Sequence, residues 1–191
     1  MTYNYILCGV GGQGTVLASK IIAYSAMKKG KNVRTSETIG MAQRGGSVVS
    51  YVRTGDEIHS PQLPLRGADV LIGFEPGEAV KNFCSLKSDG IIIVNKNGII
   101  PVTASLDGKY NPDDMLKYLN EMSGNVTIID ADEICRKVGS HNVLNIVLLA
   151  AAAKTGKIEL TMDDLKDAVK NLIPEKFHEI NFKAIEAVEN L

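Results

Sequence analysis

Short apolar runs closed by glycine or a polar turn alternate along this chain with longer segments whose apolar positions recur at helical spacing. The first run, Tyr3 to Cys8, leads into "GVGGQGT" and has the profile of a strand buried on both faces of a parallel sheet. Thr15 to Lys29 follows as a helix whose apolar band is too wide for a surface helix, with Gly30 as its C-terminal cap. "NVRTSE" is the next strand and completes a strand, helix, strand unit. The pattern then breaks. Ser47 to Arg53 has strand composition but no helix before it, so an irregular loop through Arg44, Gly45 and Gly46 is expected. The strand would pair in a hairpin with the short run around Ile58.

Regular order resumes with "ADVLIGF" as a strand, "GEAVKNFCSLK" as a helix and "GIIIVN" as a strand, the last two joined by "SDG". Asn111 caps a helix that has Pro112 at its first position and acids in its first turn, and "VTIID" is a further strand. "VLNIVLLAAAA" reads as a buried helix. Thr161 opens another, with Leu165, Ala168, Val169 and Leu172 on one face. Ile180, Ala184, Ala187, Val188 and Leu191 face one way on a closing helix. The predicted fold is α/β and Rossmann-like, a mostly parallel sheet flanked by helices with a helical C-terminal third, all in one domain spanning 1–191.

Composition narrows the function classes. Lys and Arg number 21 against 22 for Asp and Glu, so no global charge draws the chain to nucleic acid or an anionic membrane. Cys8, Cys84 and Cys135 form no CxxC pair, which argues against a disulfide framework, a zinc ribbon or a cluster held by this chain alone and suits a reducing cytoplasm. The N-terminus has no basic region ahead of a long apolar run, so it is expected to be a strand and not a signal peptide. No apolar stretch reaches the roughly 20 residues a membrane span requires.

Gly9, Gly11 and Gly14 match G-x-G-x-x-G between a strand and a helix. There glycines permit a tight turn and a close phosphate approach, and the helix start offers N–H groups to an anion. Glu37 stands roughly 20 residues beyond the last glycine, where a ribose-binding acid would fall. The same turn serves equally to pack a helix close to a sheet. In "MAQRGG" the two glycines after Arg44 leave its guanidinium to present a fixed fork to a carboxylate or phosphate, although an ordinary surface arginine beside a turn has the same signature. His59, His141 and His178 are isolated, and Cys8 reads as structural. Asn145 and Asn181 are polar positions within apolar helices that need hydrogen-bond partners. No nucleophile–base pair or P-loop lysine occurs, so chemistry by this chain's own side chains is not expected.

Five segments in order, "GVGGQGT", "SETIGMAQRGGSVVSYVR", "ADVLIGFEPGEA", "NVLNIVLLAAAAKTG" and "KFHEINFKAIEAV", closely resemble the gamma-type subunits of 2-oxoacid:ferredoxin oxidoreductases, most of all the small subunit of the indolepyruvate-type enzymes. The resemblance implies oxidative decarboxylation of a 2-oxoacid on thiamine diphosphate, transfer of the acyl group to coenzyme A as cosubstrate, and electron flow through iron–sulfur clusters to ferredoxin. It places thiamine diphosphate, Mg and the [4Fe-4S] clusters in a large (alpha) partner subunit, leaving this chain with no cofactor of its own. Residues Gly9, Gly11, Gly12, Gln13, Gly14 and Thr15 then contact coenzyme A phosphates or only pack the first helix. Glu37, Gln43, Arg44, Gly45 and Gly46 face the partner or the substrate cleft. Two other readings stand beside it: a stand-alone Rossmann NAD(P)-dependent oxidoreductase with Glu37 on the ribose, and a nucleotide-binding regulatory module.

Overall fold

The computed structural model describes residues 2–39, 45–99 and 110–191. Gln43 and Arg44 therefore lie outside the described residues.

Six strands form one sheet: β1 (Thr2–Val10), β2 (Asn32–Ile39), β3 (Ser47–Gly55), β4 (Ala68–Gly73), β5 (Leu86–Asn95) and β6 (Val126–Ile129), in the order β2-β3-β1-β4-β5-β6. The pairs β1–β4, β4–β5 and β5–β6 are parallel, whereas β3 runs antiparallel to both of its neighbours. The sheet is thus mostly parallel, as predicted, with an antiparallel insertion at one side. That insertion alters the first unit. Strands β1 and β2 run in the same direction, but β3 lies between them, so they do not pair.

The expected hairpin with Ile58 does not form. Strand β3 finds both of its partners in β1 and β2, and Ile58 lies outside any strand as a buried side chain of the following loop. Strand β5 starts at Leu86 and absorbs the predicted "SDG" turn, with a register shift opposite Ala68 and Val70 where the extra residues are accommodated.

Helices α1 (Thr15–Lys28), α4 (Ala131–Val138), α5 (Leu144–Lys154), α6 (Met162–Leu172) and α7 (His178–Glu189) cover one face of the sheet, and α2 (Pro76–Asn82) and α3 (Pro112–Met122) the other. Strand alternation divides the two cores: Tyr5, Leu7 and Ile72 point to the first, and Ile6, Cys8 and Leu71 to the second. Helix α5 is buried at ten of its eleven positions because it lies between the sheet and a second layer made by α6 and α7. Helix α1 is likewise covered on two sides, by β2 and β3 and by α5 and α6. In α7 the buried positions are Asn181, Ala184, Ile185 and Val188. Leu172 and Leu191 are both exposed, so neither joins the buried face expected of its helix.

The chain passes from β1 to one face of the sheet through α1 and from β4 to the other through α2. The connections therefore diverge above the carboxyl ends of β1 and β4, and a divergence of that kind opens a crevice.

Candidate functional site

The glycine loop forms one wall of this crevice. Gly12 and Gly14 have φ of 101° and 84°, a left-handed backbone that favours glycine. A β-carbon on Gly9 would lie 2.7 Å from both Gln13 Oε1 and Phe74 Cβ, and one on Gly14 would lie 3.1 Å from the Asn145 amide. Gln13 turns inward: its Oε1 accepts from the Val10 N–H at 2.7 Å, and its Nε2 donates to Phe74 O at 3.0 Å. This side chain ties the end of β1 to the end of β4, a role with no signature in its sequence position. The Gly11 N–H donates to Gly46 O at 2.9 Å, which brings the two glycine motifs together, and the Gln13 N–H returns to Val10 O.

Two loop amides are therefore committed to the fold. The start of α1 is not: Gly14 provides no side-chain cap and the first turn carries no acid, so its N–H groups remain open to an anion. Thr15 is buried, with its methyl group 3.2 Å from where a β-carbon on Gly9 would stand.

On the α2 side of the crevice, a cleft of about 470 Å³ is lined by Val10, Gly45, Ser47, Glu75, Glu78 and Tyr110 among others. Glu75 caps α2, its Oε2 accepting from the Glu78 N–H at 2.8 Å while Oε1 receives the Tyr110 hydroxyl. Glu78 is held by Ser47 Oγ and Lys81 Nζ, both at 2.6 Å. Both carboxylates are nearly inaccessible. Burial raises the Glu75 carboxyl above its ordinary value despite the N–H groups facing it. Cys8, beneath the two, is pushed well up by burial and then by their charges, so it is no nucleophile. The sequence carried one trace of this cluster: Glu75, Pro76 and Glu78 stand at the cap, first and third positions of a helix.

Across the loop, a second recess of about 190 Å³ is bordered by Gly12, Gln13, Asn95, Asn97, Asp132 and His141. The Asp132 Oδ2 accepts from Asn95 and Asn97 at 2.9 and 3.1 Å, and its Oδ1 stands 3.6 Å from His141 Nδ1. Among the described residues no group of three or more His, Cys, Asp or Glu is placed to hold a metal. No described helix is long and apolar enough to cross a membrane.

The structure brings Gly9 to Thr15 together with Gly45 and Gly46 but leaves Glu37 apart. Because β3 intervenes, Glu37 sits two strand spacings from β1, about 10 Å, with Ser19 Oγ donating to it at 3.4 Å. In a dinucleotide fold the acid-bearing strand adjoins the glycine-loop strand. Asn145 and Asn181, distant in sequence, converge on one apolar groove beside α1.

Residues 4–190 match the pyruvate ferredoxin/flavodoxin oxidoreductase family model. The chain is 38 % identical to an indolepyruvate oxidoreductase subunit IorB of Methanothermobacter thermautotrophicus, over 96 % of this chain and 94 % of the relative. It is 34 % identical to the IorB of Thermococcus kodakarensis, over 96 % and 93 %. Among solved structures, the gamma subunit of a keto/oxoacid ferredoxin oxidoreductase from Geobacter sulfurreducens is similar with a TM-score of 0.69 at 28 % identity, covering 98 % of this chain and 96 % of that one.

Proposed function

Since the chain belongs to the pyruvate ferredoxin/flavodoxin oxidoreductase family, in which its relatives are small subunits of 2-oxoacid oxidoreductases, we propose that residues 1–191 act as one domain in a cytoplasmic enzyme oxidising indolepyruvate or a related aryl pyruvate. The observation that carries this reading is the 34–38 % identity to IorB subunits over nearly the whole chain, with the glycine loop and the Gly45–Gly46 turn joined at one crevice.

In this reading a large partner subunit holds thiamine diphosphate, Mg and the [4Fe-4S] clusters, which supply the decarboxylation and carry the electrons to ferredoxin. This chain contributes a wall. Its α1 start, free of acids and side-chain caps, suits a phosphate of coenzyme A, with Gly12 and Gly14 letting the backbone approach. The side chain of Gln13, occupied by Val10 and Phe74, serves the loop and not the ligand. Gly45, with its φ of 81°, lines the α2-side cleft, and Gly46 joins it to the glycine loop. The assignment of Gln43 and Arg44 to the partner-facing loop rests on sequence alone, and Arg44→Ala should lower turnover or assembly of the complex.

The test is co-expression with a large oxidoreductase subunit from the same source. Indolepyruvate- and coenzyme A-dependent reduction of viologen is measured while the lone chain is titrated with NADH. Activity confined to the complex, without NADH binding, is the expected result. NADH binding by a chain that forms no complex would return the stand-alone dehydrogenase or regulatory module.

A further inference from the structure

At the amino ends of β4 and β5, the far end of the sheet from the crevice, a groove of about 450 Å³ crosses the α2 and α3 side of the molecule. Leu65, Phe83, Cys84, Tyr118 and Met122 line it, together with Arg66. Leu65 is 74 % exposed, Met122 55 % and Tyr118 41 %, so three large apolar side chains stand in water on one patch. The Phe83 and Tyr118 rings meet edge to face, with centroids 6.2 Å apart, and give the patch a stiff aromatic floor.

The wall that carries Leu65 and Arg66 is built under strain. The Gly67 N–H donates to Pro64 O at 3.0 Å and closes a tight turn, which Asn4 Nδ2 pins by donating to Gly67 O at 2.9 Å. Within this turn Arg66 has a φ of 52°, and it is the one non-glycine residue of positive φ among the described residues. A glycine would remove that strain, so a side chain kept there points to a use outside the fold. The Arg66 guanidinium has no hydrogen bond or ion pair among the described residues, whereas Lys87, which also lines the groove, is taken by Asp69.

The other end of the groove carries the opposite charge. Arg66 stands ahead of β4, on one side of β5. Asp89 follows the groove-lining Ser88 in β5 and lies toward β6, since Asn125 Nδ2, just before β6, donates to Asp89 O at 3.5 Å. Asp89 is exposed, and its carboxylate has no partner among the described residues. An apolar patch with an unpaired cation at one end and an unpaired anion at the other is complementary to itself after a half turn.

We propose that this groove is a two-fold contact between two copies of the chain, with Leu65 of each copy packed on Tyr118 and Met122 of the other and Arg66 paired with Asp89 across the axis. Position selects a second copy over the large subunit, because the groove is not continuous with the crevice that faces that subunit in the reading above. The proposal stands without that reading and leaves the crevice open for it.

The experiment is sedimentation velocity of the purified chain at rising concentration, for wild type, Leu65→Asp, Arg66→Glu, Asp89→Arg and the charge exchange Arg66→Glu, Asp89→Arg. Melting of each variant controls for folding. In parallel a short bismaleimide joins accessible thiols, of which Cys84 is the exposed one while Cys8 and Cys135 are buried. The expected result is a wild-type dimer with a dissociation constant of roughly micromolar order. It should weaken at least about tenfold in Leu65→Asp and in each single charge reversal and recover in the exchange, and its bismaleimide adduct should vanish in Cys84→Ser. Recovery in the exchange separates a lost contact from a damaged fold. A wild-type chain that stays monomeric, or a dimer indifferent to Leu65→Asp and to both single reversals, overturns the proposal. A monomeric chain whose Cys84 loses reactivity to maleimide only when the large subunit is added gives the groove to that subunit: the two-fold contact falls and the subunit reading stands.

Discussion

At Gly9 the chain has no room for a β-carbon, since Gln13 and Phe74 already occupy that space at 2.7 Å. At Gly12 there is room in every direction, and only the φ of 101° resists a side chain. The two substitutions therefore separate packing from conformation. Gly9→Ala should cost about 1–3 kcal/mol by overpacking and loosen the Gln13 bridge, whereas Gly12→Ala should cost about 1–2 kcal/mol through backbone strain alone. Urea denaturation of the two variants checks the pair. If coenzyme A phosphate sits at the α1 start, Gly12→Ala should also weaken coenzyme A binding to the assembled complex, because the added methyl group projects into the open approach.

Glu75 makes a second residue-scale test. Its carboxyl titrates higher in the folded chain than in the unfolded one because burial disfavours the anion, so the folded state holds that proton more tightly. Stability from this source is fully present below the unfolded carboxylate value and is lost as pH rises through the folded one. Glu75→Gln keeps a side-chain oxygen to cap α2 and removes the charge. Its melting temperature relative to wild type should rise between pH 4 and pH 7. A difference that stays constant over this range would show that the Glu75 charge is not what burial penalises. The glycines were legible because their geometry is written in residue type. Gln13 and Glu75 were not, because an inward-turned side chain and a buried carboxylate depend on partners brought from elsewhere in the chain.

At the scale of elements, local signals carried furthest where a helix end was signposted by its own residues. Thr161 opens the helix as the sequence indicated, and the cap is reciprocal: Thr161 accepts from the Asp164 N–H while the Asp164 side chain accepts from the Thr161 N–H. Thr161→Ala should destabilise the protein by about 1 kcal/mol, seen as a lower urea midpoint with an unchanged slope, since the core under α6 is untouched. Helix α4 has equally clear marks, with Asp130 capping and Gly139 at φ 95°, yet it was missed because only two apolar side chains of its eight residues, Ile134 and Cys135, are buried beyond Ala131. The error over β3 has a different cause. A strand's partner is a long-range fact, and the nearest apolar run, Ile58, was a poor guide to a segment that pairs with β1 and β2 on either side.

For the whole molecule, the position of β3 decides which functions the fold can support. The strand separates Glu37 from the glycine loop and at the same time delivers Gly46 to Gly11, so the crevice is closed by a second glycine turn where a dinucleotide fold would leave space for a ribose. The order of motifs was legible in the sequence; that they meet, and that Asn145 comes to lie against Gly14, follows from how strands and helices pack. A small subunit of this kind should be stabilised by its large partner through mass action. With the large subunit at about 100 times its dissociation constant, the gain is about 2.7 kcal/mol, or roughly 5–10 °C in melting temperature for a chain of this size. Differential scanning fluorimetry of the chain, with and without the large subunit, reads this increment. A melting temperature unmoved by the large subunit in such excess would count against the subunit reading.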